Sequence, residues 1–191
     1  MSIFNTILKQ FFRIILLLGL GGIGPPSYAE QPIIHEYQVK AKYLYSFTKF
    51  VAWPDKAFPS QDTRLSLCVL GENFFSRVLD LIVRKHNKRD GVKYILDTRY
   101  PKIIEETKGC HVLYISDSEE YYRASILNYV ASQPMLTVSD MSNFAIGGGM
   151  IQLYRRENKI RFIIDPQTIR DAGLEPHANL LRISEHVSKK R

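Results

Sequence analysis

Arg64-Leu65-Ser66-Leu67-Cys68-Val69-Leu70-Gly71-Glu72-Asn73 is the stretch that sets the architecture. Residues 64–70 form an apolar run of strand length, and Gly71 ends it. Asn73 is a helix-capping residue type, and Phe75, Val78, Leu79 and Ile82 then recur along one face of a predicted helix. The same alternation extends in both directions. Upstream, a helix is expected over 34–52, where Tyr43, Leu44, Phe47, Phe50 and Val51 fall at helical spacing. Trp53-Pro54 stops it, because the residue before a proline is pushed out of the helical region.

Downstream, strands are expected over 92–96 and 110–115. Ser118 is then expected to cap a helix with Glu119 and Glu120 in its first turn, where acids suit the helix dipole. Tyr122, Ile126, Tyr129 and Val130 would supply its buried side. A short strand follows over 135–138. Residues 149–154 and 159–164 flank the polar turn Arg155-Arg156-Glu157-Asn158 and read as a hairpin. A last helix is expected over 178–186. Helices alternating with short apolar strands imply an α/β class fold, a single three-layer α/β/α domain. Its sheet would be mainly parallel, with the antiparallel C-terminal hairpin at one edge.

The N-terminus reads as a secretory signal peptide. Lys9 and Arg13 are the only charged residues before Glu30. They accompany the apolar run Ile14-Ile15-Leu16-Leu17-Leu18-Gly19-Leu20, which is too short for the roughly 20 residues of a membrane span. The helix-breaking Gly21-Gly22-Ile23-Gly24-Pro25-Pro26 follows, and Ser27 and Ala29 fit a cleavage site between Ala29 and Glu30. Residues 1–29 are thus expected to leave, and residues 30–191 to form the mature domain, exported to the periplasm and soluble. An uncleaved anchor is the alternative.

The formal charge of the 191-residue chain is +7, and it falls to +5 once Lys9 and Arg13 are removed. Basic clusters stand at Arg84-Lys85-His86-Asn87-Lys88-Arg89 and Lys189-Lys190-Arg191. Both read as solvated ends rather than a nucleic-acid surface, since exported proteins rarely meet nucleic acid. Two cysteines remain, Cys68 and Cys110. An even count in an oxidising compartment suggests a disulfide, which would restrict the unfolded chain by roughly 4 kcal/mol. Two buried free thiols are the alternative.

Catalytic chemistry is thin. His35, His86, His111, His177 and His186 show no HExxH or other short metal spacing, so neither a metal nor a cofactor is expected. There is no G-x-S-x-G elbow. Gly147-Gly148-Gly149 precedes a strand instead of linking strand to helix, and no lysine follows in the phosphate-loop position. It reads as a flexible entry to the hairpin. Gly71 does link strand to helix, at the carboxyl edge where α/β sheets bind ligands. A small-ligand sensor would use that edge, near Gly71 and Ser116. The chain is also rich in aromatics, with 11 tyrosines and 10 phenylalanines. Tyr43, Tyr45, Tyr121 and Tyr122 come as near neighbours that cannot all face a core, and tyrosine is favoured at interfaces. These four are the candidate partner-binding residues.

One resemblance sharpens this reading. Val39-Lys40-Ala41-Lys42-Tyr43-Leu44-Tyr45-Ser46-Phe47-Thr48-Lys49-Phe50-Val51-Ala52-Trp53-Pro54 closely resembles the opening of the YfiR-like family of small periplasmic proteins. The likeness continues through Leu67-Cys68-Val69-Leu70-Gly71, Gly109-Cys110-His111-Val112-Leu113-Tyr114-Ile115-Ser116 and Leu136-Thr137-Val138-Ser139-Asp140. It runs on through Gly148-Gly149-Met150-Ile151, Arg161-Phe162, Ala172-Gly173-Leu174 and Leu180-Leu181. The resemblance implies an α/β sandwich and a Cys68–Cys110 disulfide. Some members carry a second bridge, at positions where Phe144 and Ile151 stand here. It further implies a regulator, not an enzyme, that binds the periplasmic sensor part of an inner-membrane diguanylate cyclase and holds it inactive, lowering cyclic di-GMP and biofilm formation. An outer-membrane lipoprotein would sequester it. Another membrane sensor as partner and a homodimer are further expectations.

Overall fold

The computed structural model describes residues 31–58, 64–75 and 77–187. The expected signal peptide, its cleavage between Ala29 and Glu30, and the Lys189-Lys190-Arg191 tail lie outside the described residues. In chain order the elements are α1 Gln31–Phe50, β1 Val51–Ala52, β2 Arg64–Leu70, α2 Val78–Asn87, β3 Ile95–Arg99, β4 Val112–Ile115, α3 Arg123–Val130, β5 Leu136–Ser139, β6 Ile151–Arg156, β7 Lys159–Ile164, α4 Pro166–Asp171, β8 Glu175–Pro176, α5 Ala178–Ile183 and β9 Glu185–His186. Among the described residues no helix is long and apolar enough to cross a membrane.

Seven strands form one sheet in the order β3-β2-β4-β5-β6-β7-β9. Pairing is parallel from β3 to β6, antiparallel at β6–β7 and parallel again at β7–β9. Strand side chains alternate between two cores, as a period of two requires. Leu65, Leu67 and Val69 of β2, with Val112 and Tyr114 of β4, pack on α1 and α2. Cys68, Leu70, Leu113 and Ile115 point the other way, onto Ile126 and Val130 of α3. The sheet is therefore the middle of three layers, mainly parallel and flanked by helices. A separate antiparallel pair, β1 with β8, joins Val51 to Pro176 and Ala52 to Glu175.

Several local expectations shift. The first helix ends at Phe50, because Val51 and Ala52 are drawn into pairing with β8. Asn73 does not cap α2. Its Oδ1 accepts the Phe75 N–H at 3.0 Å, a local turn, and the helix starts only at Val78. The third strand lies at residues 95–99, not 92–96, since an edge strand tolerates the polar Asp97, Thr98 and Arg99. The last helix stops at Ile183, and Glu185-His186 leave it to pair with β7, so β7 is not the edge strand. The hairpin turn is two residues long, Glu157 and Asn158, both at positive φ (50° and 59°), which suits a twisted hairpin. The Asp165-Pro166 pair opens a short helix that the periodicity did not reveal. Asp165 accepts the N–H groups of Gln167 and Thr168.

Candidate functional site

The parallel strands deliver three turns to one edge of the sheet: Gly71 after β2, Ser116 after β4 and Asp140 after β5. Gly71 sits at φ +90°, and a Cβ there would lie 2.5 Å from Ser118 Oγ and 2.8 Å from Glu119 Cγ. Only glycine fits so close an approach. Ser118 Oγ accepts the Glu72 N–H at 2.9 Å, so this serine pins two loops together and caps no helix. The segment Asp117–Tyr122 is accordingly a 3-10 helix, and α3 begins at Arg123. Three residues per turn rotate Tyr122 out of the expected stripe. Ile126 and Val130 are buried, whereas Tyr122 and Tyr129 are exposed. The ligand crevice expected near Gly71 and Ser116 is thus occupied at Gly71 by the Ser118 and Glu119 side chains.

Beneath this edge lies a charged cluster built on one buried lysine. Lys40 falls on the inward stripe of α1, three residues after Tyr37 and four before Leu44, and its side chain is 3% exposed. It pairs with Glu36 at 2.6 Å and with Asp140. Its ammonium also stands 4.3 Å from the Tyr37 ring centroid, while the Tyr37 hydroxyl donates to Asp140 Oδ2 at 3.3 Å. The Tyr114 hydroxyl and Asp140 Oδ1 are buried without a hydrogen-bond partner among the described residues. Burial first, and the Asp140 charge second, push the Tyr37 and Tyr114 phenols well above the usual range. Both stay neutral at physiological pH. The cluster clamps α1 to the end of β5. Nothing in the sequence reading singled out Lys40, Glu36 or Asp140, although the stripe position of Lys40 was a usable signal.

The exposed aromatics stand above the clamp. Tyr121 and Tyr122 are 89% and 56% exposed, and their rings meet edge to face at 5.0 Å. Phe74, also exposed, follows the Glu72–Ser118 contact and leans on Tyr37 at 5.1 Å. On the far side Arg123 donates to the Ser142 carbonyl at 3.1 Å, tying in the loop that presents exposed Ile146. Adjoining loops therefore carry Phe74, Tyr121, Tyr122 and Ile146. Tyr43 and Tyr45 lie elsewhere and are half-buried. The Tyr43 hydroxyl donates to the Ile160 carbonyl at 3.1 Å, and that of Tyr45 bonds His86 Nδ1 at 3.2 Å.

The remaining sequence candidates have structural roles. Cys68 and Cys110 are joined by a disulfide, with Cα atoms 5.9 Å apart. Position 149, just before β6, takes glycine because the Phe144 ring lies on it; a Cβ would come within 2.2 Å of that ring. Phe144 is buried in the second core and Ile151 in the first. The buried His111 accepts the Ser66 N–H on Nδ1 and meets the Ala57 carbonyl with Nε2. His177 caps α5, and His186 contacts the Leu181 carbonyl. A cleft of about 430 Å³ opens between α1 and the start of β3, with Phe50, Ala52, His86, Tyr94 and His177 in its wall.

Residues 37–185 match the sequence profile of the YfiR/HmsC-like family. This chain belongs to that family. The match begins at Tyr37 in the clamp and ends at Glu185, the first residue of β9, so it takes in six strands of the main sheet and reaches the seventh. YfiR/HmsC-like proteins are periplasmic regulators of diguanylate cyclases and are not themselves enzymes. Two blocks that carry the family likeness, residues 39–54 and 136–140, meet through Lys40 and Asp140.

Proposed function

We propose that this protein binds the periplasmic sensor domain of an inner-membrane diguanylate cyclase and holds the enzyme inactive, with Tyr121 and Tyr122 as the anchors. The observation that carries this reading is a pair of large aromatic rings left in water on a short segment that is fixed at both ends. Such residues are the usual hot spots of an interface, because they offer apolar area at small conformational cost. Family membership supports the partner class. Tyr43 and Tyr45 are less suited to the role, since their hydroxyls are already engaged.

Repression requires preferential binding to one conformation of the sensor. A nearly complete switch needs roughly 5.5 kcal/mol of differential affinity. An outer-membrane lipoprotein competing for the same aromatic face would relieve it. In this reading the chain is exported, loses residues 1–29 and performs no catalysis. Deleting its gene should raise cyclic di-GMP and biofilm formation, and restoring it should lower both. Unchanged cyclic di-GMP in a strain that expresses the cognate cyclase would contradict the proposal.

A second reading has one observation in its favour. The cleft beside His86 and His177 has apolar walls and polar edges, the make-up of a small-molecule site. A metabolite bound there would modulate partner binding. A thermal-shift screen of periplasmic extracts that moves the wild type but not His177→Ala supports this second reading, and no shift removes it.

A further inference from the structure

We infer that the corner formed by the C-terminal end of α2 docks on an anionic lipid surface. Arg84, Lys85, Lys88, Arg89 and Lys93 are all exposed. Among the described residues none of the five makes an ion pair. The corner is held together by its own contacts. His86 bonds the Tyr45 hydroxyl at 3.2 Å and meets the Tyr94 carbonyl at 3.0 Å. Arg89 reaches the same hydroxyl at 3.5 Å, Lys93 lies 4.8 Å from the Tyr94 ring centroid, and Lys49 lies 4.5 Å from that of Tyr45. Lys49, itself exposed, is thus a sixth cation on one connected surface.

Magnitude argues for a role. Against these six cations stand the exposed Asp90 and Glu175, the latter sharing a cleft wall with Lys49 and Lys93, so the corner holds +4 of the mature chain's +5. Cations in the last turn of α2 offset the helix dipole, which accounts for Arg84 and Lys85. Lys49 does the same in the last turn of α1, but no helix dipole accounts for Lys88, Arg89 and Lys93, which lie beyond the last turn of α2. Leu81 is exposed as well. It lies three, four and seven residues before Arg84, Lys85 and Lys88, on the same helix face, where a leucine ringed by cations can enter the headgroup layer. Long flexible ammonium groups spread over a corner match a smeared negative surface better than one discrete anion. For a regulator of a membrane enzyme, weak adsorption to the bilayer confines the search for its target to two dimensions. This inference uses the family's periplasmic setting and is independent of which residues grip the sensor.

The test is flotation of the mature protein with phosphatidylethanolamine–phosphatidylglycerol vesicles and with pure phosphatidylcholine vesicles. Binding is expected only to the first, and about 1 M salt should release it, where the Debye length is about 3 Å. A cation near an anionic membrane is worth about 1 kcal/mol, roughly fivefold in partitioning. The triple variant Lys85→Gln/Lys88→Gln/Lys93→Gln should therefore lose about a hundredfold. Neutralising Lys102 and Lys159, outside the corner, should change little. Circular dichroism of each variant separates lost binding from lost fold. Equal flotation with both vesicle types, or full binding by the triple variant, overturns the inference. So does binding to an acidic polypeptide such as polyglutamate but not to the anionic vesicles, which would assign the corner to an acidic protein.

Discussion

The buried Lys40 of α1 and the half-buried Asp140 at the end of β5 form an ion pair across 100 residues of sequence. Glu36 and Tyr37 complete the shell around it. The pair fixes the first helix against the sheet edge that carries the exposed aromatics. Removing Lys40 strands the Asp140 carboxylate in a low dielectric, which costs roughly 3–5 kcal/mol, whereas removing Asp140 leaves Lys40 its Glu36 partner. Lys40→Met should lose about that much in urea denaturation. Lys40→Met combined with Asp140→Asn should recover most of it, because no buried charge is then left without a partner. A loss below about 1 kcal/mol for Lys40→Met would show that the pair does not hold α1 in place.

The disulfide ties the segment just before β4 to the middle of β2, its cysteines 42 positions apart in sequence. Cys68→Ala should lower stability by roughly 2–5 kcal/mol. The wild-type protein, unfolded without reductant, should present no thiol to a titrating reagent. Two titrating thiols would mean that the bridge does not form in the cell.

Edge protection rests on Asn87, whose side chain donates to the Leu96 carbonyl at 2.7 Å and accepts the Leu96 N–H at 2.9 Å. One amide side chain thereby replaces a neighbouring strand at the outer edge of β3. Exposed edges recruit other chains. Asn87→Ala should cost about 1–3 kcal/mol and raise light scattering during mild heating. An unchanged melting curve with no added scattering would show that β3 needs no such cover.

Alkali should unfold the protein. Tyr100 donates to Asp80 at 2.6 Å, and burial, followed by that bond, pushes its phenol up to about 12 from 10.0. The folded state favours the neutral form, so the unfolded chain ionises first. The Tyr100 contribution is complete below pH 10 and disappears as pH rises from 10 to 12. Tyr37 and Tyr114, displaced in the same direction, extend the decline. Tyr100→Phe should flatten the fall in stability between pH 10 and 12. A Tyr100 phenolate that appears together with that of free tyrosine would contradict this.

Fold class was legible because β2, β4 and β5 are buried on both faces and read as short apolar runs. The hairpin was legible because Glu157-Asn158 separates two strands of β-rich composition. What escaped was set by tertiary contacts. Val51 and Ala52 continue the apolar spacing of α1, and only β8, more than 120 residues away, turns them into a strand. Ser118 looks like a helix cap until the Glu72 N–H claims its hydroxyl. The tyrosine list was legible as a set but not as a ranking. Adjacent rings must diverge, yet which ring remains in water depends on whether the local turn is a 3-10 or an α-helix. Lys40 was not legible because lysine is almost never fully buried unless it is paired, and the partner that ties it to the sheet, Asp140, lies 100 positions away.

The role of Tyr121 and Tyr122 is the centre of the account, and one binding measurement addresses it. The purified periplasmic domain of the cognate cyclase should be titrated with the wild-type protein and with Tyr121→Ala/Tyr122→Ala. The double variant should keep its circular dichroism and melting temperature, since both rings face solvent. Its affinity should fall by at least about thirtyfold, the equivalent of one 2 kcal/mol hot spot. Wild-type affinity in a double variant that folds normally would contradict the account, and the repressing surface would then have to lie elsewhere on the domain.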